Sequence, residues 1–129
     1  MAIKSDFLGD PVTIDDDLLG SQIVQADLDA ADEYLYSLAR RLGVAVADIV
    51  LPATKFAIID LGVAVACQRR AGLKAGRQPF GEDDPYMQKQ KYYATRMTQL
   101  TGEVQVYEFT GVETSDDAYA PVTIGLVRG

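Results

Sequence analysis

The sequence predicts a mainly α protein: a three-helix-type bundle carrying a β-rich C-terminal extension. Three observations predict it. Apolar residues recur at three- and four-residue steps in two stretches before residue 101 and encircle a third stretch between them. Glycine and proline fall where such helices should stop and start. Beyond Gly102 the period drops to two, the signature of half-buried strands. The chain divides accordingly into an acidic N-terminal lead-in (1–20), a helical bundle (21–101) and a β-rich extension (102–129).

In the lead-in, Gly9, Pro11 and Gly20 break up any period, and Asp15, Asp16 and Asp17 are suited to starting a short helical turn. The first helix is expected over 21–42, with Leu28, Ala31, Leu35, Leu38 and Leu42 on one stripe. Arg40 and Arg41 then fall in its last turn, where the helix dipole favours cations, and Gly43 is its stop. Residues 44–51 form a short apolar connector with one helical turn around Ala47, ended by Pro52. The second helix, over 53–71, is apolar on nearly all sides and is therefore the central, buried one. Gly62 and the neighbouring alanines allow close approach of other elements. Asp60 interrupts the run and reads most economically as a helix-edge carboxylate paired with a nearby Arg or Lys.

Arg69, Arg70, Lys74 and Arg77 end this helix and enter a Gly-rich loop. Such a set is usually a C-terminal cation group with a solvated loop; contact with phosphate is the alternative. Asp84 is a good N-cap and Pro85 a good first residue for the third helix. Tyr86, Gln90, Tyr93, Met97 and Leu100 make its stripe, and Gly102 its end. Two strands are then expected, over 103–110 and 119–128, joined by the acidic, turn-rich link 111–118. Tyr107 and Phe109 share a face of the first, and Val122, Ile124 and Leu126 a face of the second. A lone hairpin is marginal in water, so this apolar face needs a surface, either on its own body or on another molecule.

The 129 residues suffice for one domain with one core. The longest apolar run, 56–67, is too short to span a membrane, and the first residues lack the apolar stretch of a secretory signal. A reducing, cytoplasmic site of synthesis is expected, with the single Cys67 a small buried hydrophobe. With no histidine, the commonest general base and transition-metal ligand are missing, and one cysteine cannot build a usual zinc site. Carboxylates remain able to hold Mg²⁺ or Ca²⁺. The net charge of −7 is unevenly distributed: −8 over residues 1–33, +5 over 34–101 and −4 over 102–129. This disfavours general affinity for a phosphate backbone and permits acidic-to-basic contacts between copies.

Phosphate-loop, dinucleotide and metalloprotease patterns are lacking. Ser5, Ser21, Ser37 and Ser115 have no histidine to activate them. Asp15, Asp16 and Asp17 lack the interleaved spacing of a calcium loop and read as helix-start acidity. No catalytic, cofactor-binding or metal residue is assigned, and the chain is expected not to be an enzyme.

The order of parts resembles the small head-to-tail connector, or adaptor, proteins of tailed bacteriophages. The matching residues are Ala30, Ala31, Asp32, Glu33, Tyr34 and Leu35; then Leu51–Pro52; then Ile58, Ile59 and Asp60 with Ala64 and Ala66; then Asp84, Pro85 and Tyr86 leading to Tyr92, Tyr93, Ala94 and Leu100. The likeness covers roughly residues 21–101, and the tail departs from the shorter members of the family. The resemblance implies a virion neck protein made in the host bacterial cytoplasm. Copies would assemble with one another, commonly as dodecamers, into a ring under the portal protein. The ring would extend the channel through which DNA passes without specific binding, and would dock the stopper or tail-completion protein. Tyr107, Phe109, Val122, Ile124 and Leu126 are then the expected interface anchors, adding strands to a neighbour or to the portal. On that reading, removing 103–129 leaves a folded helical body. The alternative is a small cytosolic regulatory or nucleic-acid-binding helical module that uses Arg69, Arg70, Lys74 and Arg77. A metal-dependent enzyme built on Asp15, Asp16 and Asp17 is a more distant reading.

Overall fold

The computed structural model describes residues 2–76 and 84–111. It is mainly helical: α1 spans Gln25–Arg41, α2 Phe56–Lys74, α3 Pro85–Glu103 and α4 Val106–Thr110, with 3-10 turns at Gly20–Gln22 and Val46–Asp48. No strand occurs among the described residues, apart from one isolated bridge between Ser5 and Gly9.

The amphipathic pattern places the stripe of α1 as expected, although the helix begins at Gln25 rather than at 21, after extended Ile23 and Val24. Leu28, Ala31, Leu35 and Leu38 are buried, and only Leu42, at the C-cap, turns outward. The most apolar helix, α2, is central and packs against both α1 and α3. Gly62 permits this closeness: a Cβ there would stand 3.0 Å from Leu8 Cδ2 and 3.3 Å from Leu35 Cδ1. Asp84 caps α3 as the sequence indicates, accepting from the amides of Tyr86 (2.9 Å) and Met87 (3.4 Å), with Pro85 as the first helical residue. It also accepts from the Gly76 amide at 2.8 Å, which ties the end of α2 to the start of α3. That bond from Gly76 is the chief cause holding the Asp84 carboxyl below its ordinary range, with the Tyr86 and Met87 amides adding to it against burial.

Two segments depart from the sequence reading. The expected strand over 103–110 is helical instead. α3 runs through Gly102 to Glu103, and after a break at Val104 and Gln105 the chain forms α4. The reason is packing: Val104 and Phe109 are both buried, and residues five apart lie on opposite faces of a strand. The broken helix turns both inward. The strand expected over 119–128 lies outside the described residues.

The acidic lead-in is part of the core, to which it supplies Phe7, Ile14, Leu19 and, just beyond, Ile23. Its tip is held by Asp32 of α1, which accepts from Ser5 Oγ (2.5 Å) and from the amides of Asp6 (2.9 Å) and Phe7 (3.3 Å). Phe7 thereby reaches Tyr36 and Phe109, edge to face, with ring centroids 4.8 and 6.2 Å away. Tyr36 donates to Asp6 at 2.8 Å. Burial first, and this carboxylate second, push the Tyr36 hydroxyl up to about 12.

Candidate functional site

Two of the four cations of the basic cluster are occupied inside the chain. Arg69 and Arg70, near the end of α2, both bind Asp27 in the first turn of α1. Arg70 does so through two nitrogens, at 2.9 and 3.2 Å. Asp27 is fully buried and also accepts from the Val24 amide at 3.0 Å. Burial raises its carboxyl, but Arg70, the Val24 amide and Arg69 outweigh this and hold it below the ordinary value. Arg77 lies outside the described residues. Of the four cations proposed for phosphate contact, Arg70 is therefore committed to a buried ion pair, and Arg69 is shared with it.

Two members of the acidic triplet, Asp16 and Asp17, are committed in a similar way. Asp16, whose side chain is 2% exposed, accepts from the amides of Leu18 (2.9 Å) and Leu19 (2.7 Å), from Tyr93 (2.5 Å) and from Lys89 (3.2 Å). Burial raises its carboxyl, while Tyr93, the two amides and Lys89 together bring it below the ordinary value. Asp17 binds Lys89 at 2.8 Å. These groups line an open groove of about 630 Å³ between the N-terminal segment and α3. Among the described residues, no three His, Cys, Asp or Glu side chains are arranged to hold a metal ion. Asp16 holds the turn at 17–19 through the Leu18 and Leu19 amides, while the 3-10 helix beginning at Gly20 has no side-chain cap.

Pairing of the acidic first third with the basic middle thus occurs within one chain. Asp60 pairs within the middle segment, with Arg96 of α3, as its economical reading anticipated. Cys67 is buried, and burial first pushes its thiol up to about 12, the Tyr93 hydroxyl acting in the opposite direction. We expect Cys67 to react with a disulfide reagent at least ~100-fold more slowly in the native protein than in denaturant. Comparable rates would show that α2 opens readily.

Of the expected tail anchors, Phe109 is 1% exposed and belongs to the chain's own core, and Tyr107 is half-buried on α4. Val122, Ile124 and Leu126 lie outside the described residues. The structure instead reveals a surface that periodicity did not single out, the connector between α1 and α2. Val44 and Ile49 point inward, whereas Val46, Val50 and Leu51 are exposed, and Phe56 at the start of α2 is 73% exposed. The connector backbone is fixed at two points: Val50 donates to Phe109 O (2.9 Å) and Ala53 to Phe7 O (2.8 Å). Its apolar character was visible in the sequence; that half of it faces outward depends on where α4 and Phe7 dock.

No described helix is long and apolar enough to cross a membrane. Comparison with family models, with curated proteins and with solved structures finds no match to this chain.

Proposed function

We propose that this chain is a structural adaptor of a phage neck, forming a homo-oligomeric ring under the portal and docking the stopper or tail. One observation carries the reading: the residues that resemble the adaptor family occupy distinct structural posts in the expected order. Leu35 lies in the core, Tyr34 bonds Thr101 of α3 at 2.7 Å, and Asp32 clasps the N-terminal loop. Leu51–Pro52 turns the chain between α1 and α2, Asp60 pairs with α3, and Asp84 caps α3. These posts build a rigid helical block whose exposed connector is apolar, which suits a subunit made to be packed among others.

Val122, Ile124 and Leu126, at alternate positions of the sequence, would supply the contact with a neighbouring subunit or the portal. DNA passes through the ring without sequence-specific contact. The nucleic-acid-binding alternative loses force because Arg69 and Arg70 neutralise Asp27.

The test is genetic. Capsids assembled without this protein should fill with DNA yet carry no tails in negative-stain images, and the purified chain added back should restore tail joining. Normal tailed virions in its absence would overturn the reading.

A further inference from the structure

We infer that the exposed apolar connector, through Val46, Val50, Leu51 and Phe56, is the seat for residues 119–128 of a neighbouring copy of this chain. The inference rests on the ring-forming reading and supplies the contact that would build the ring.

The surface is unusual for a body this well packed. Four large apolar side chains within eleven residues lie open, Val46 at 68% and Phe56 at 73%. The connector backbone is held at Val50 by the Phe109 carbonyl and at Ala53 by the Phe7 carbonyl, two other parts of the core, so its ordering cost on binding is reduced.

The occupant follows from where the described chain ends. Gly111 closes α4 in the left-handed conformation (φ 73°), and a Cβ on it would stand 3.1 Å from Val50 Cγ2. The chain therefore leaves the body at the rim of the seat. Next comes the polar, acidic stretch 112–118, and then Val122, Ile124 and Leu126 at two-residue spacing. In an extended segment these three side chains project to one side about 7 Å apart, a row able to lie along an apolar strip.

A return to the chain's own seat would need only a short turn, since hairpin loops run ~2–5 residues. The link 112–118 spans up to about 24 Å when extended, enough to pass the rim and reach an adjacent copy. Seat and tail are different surfaces, so the contact is heterologous and propagates head to tail, as ring closure requires.

The test uses the full-length chain. Cys67, buried with its thiol pushed up, stays silent in native cross-linking. Chains carrying Leu51→Cys and chains carrying Ile124→Cys are mixed under mild oxidation. The inference expects a covalent pair joining one chain of each kind. It also expects Leu51→Glu combined with Phe56→Glu to weaken self-association ~10–100-fold with an unchanged helical circular-dichroism spectrum.

Three results would overturn it: in a chain carrying both Leu51→Cys and Ile124→Cys, cross-links only within that chain; in the mixture, cross-links only between two Leu51→Cys chains; or unaltered self-association of the double Glu variant. If the contact forms but capsids lacking the protein still acquire tails, the neck reading fails and the contact stands. If unsubstituted rings restore tails while the cross-link and the Glu effect are absent, this inference alone fails.

Discussion

Deletion of residues 103–129 is expected to lower the melting temperature by about 20 °C, whereas deletion of 112–129 should shift it by only a few degrees. The longer deletion removes Val104 and Phe109, both buried, and leaves a hole beside Phe7. Emptying a Phe site typically costs about 3–5 kcal/mol, and losing a buried Val adds about 1.5 kcal/mol or more. The Val50 amide also loses its acceptor, the Phe109 carbonyl. Against a total stability of about 5–15 kcal/mol for a domain, such a loss is close to unfolding. The shorter deletion takes nothing from the described core. Thermal melts of the two truncations and of Phe109→Ala decide the matter: equal, small shifts in all three would show that α4 is not a core element.

That contrast corrects the expectation that everything after residue 102 could be removed without harm. The strand expected over 103–110 does not form: these residues satisfy the period-two pattern while their burial follows another rule. Gln105, Tyr107 and Phe109 would share a strand face, yet Gln105 is exposed and Phe109 buried. Short apolar stretches cannot be assigned by period alone, and here packing against Phe7 and Val50 decides. The N-terminal segment was illegible for a related reason. Phe7, Ile14 and Leu19 follow no period; Phe7 is held in the core by the Asp32 side chain, which binds backbone amides about 25 residues away, and Leu19 by Asp16.

The body was more legible because its signals are local. The α1 stripe, Gly43 after the helix (φ 86°) and the Asp84–Pro85 start of α3 each depend on neighbours within a turn. Charge was legible only in sum. The excess of acid before residue 34 and of base after it is real, but Asp27 meets Arg69 42 residues away, and Asp17 meets Lys89 72 residues away. No spacing rule links residues so distant. Part of that complementarity, at Asp16, Asp17 and Asp27, is used within the chain.

The second large effect is expected at Asp27. Asp27→Ala should cost about 3 kcal/mol in a urea titration, because it leaves Arg70, itself only 16% exposed, without its counter-charge. Arg69, at 38% exposure, is partly relieved by water and adds less. Asp27→Asn keeps the shape and removes the charge, and should cost ~2 kcal/mol near neutral pH. The pH dependence separates charge from packing. The Asp27 carboxyl is held below its unfolded value of 3.8, so its contribution is complete above that value and is lost as pH falls through the lower folded one. The gap between Asp27→Asn and the unsubstituted protein should accordingly narrow on acidification below about pH 4, while the deficit of a core variant such as Phe109→Ala should not. Replacing the whole triad, Asp27→Leu with Arg69→Met and Arg70→Met, should recover most of the stability lost in Asp27→Ala, since no charge is then left stranded. Failure to recover would mean that the triad fixes the relative setting of α1 and α2 through its geometry, which apolar side chains of similar size do not reproduce.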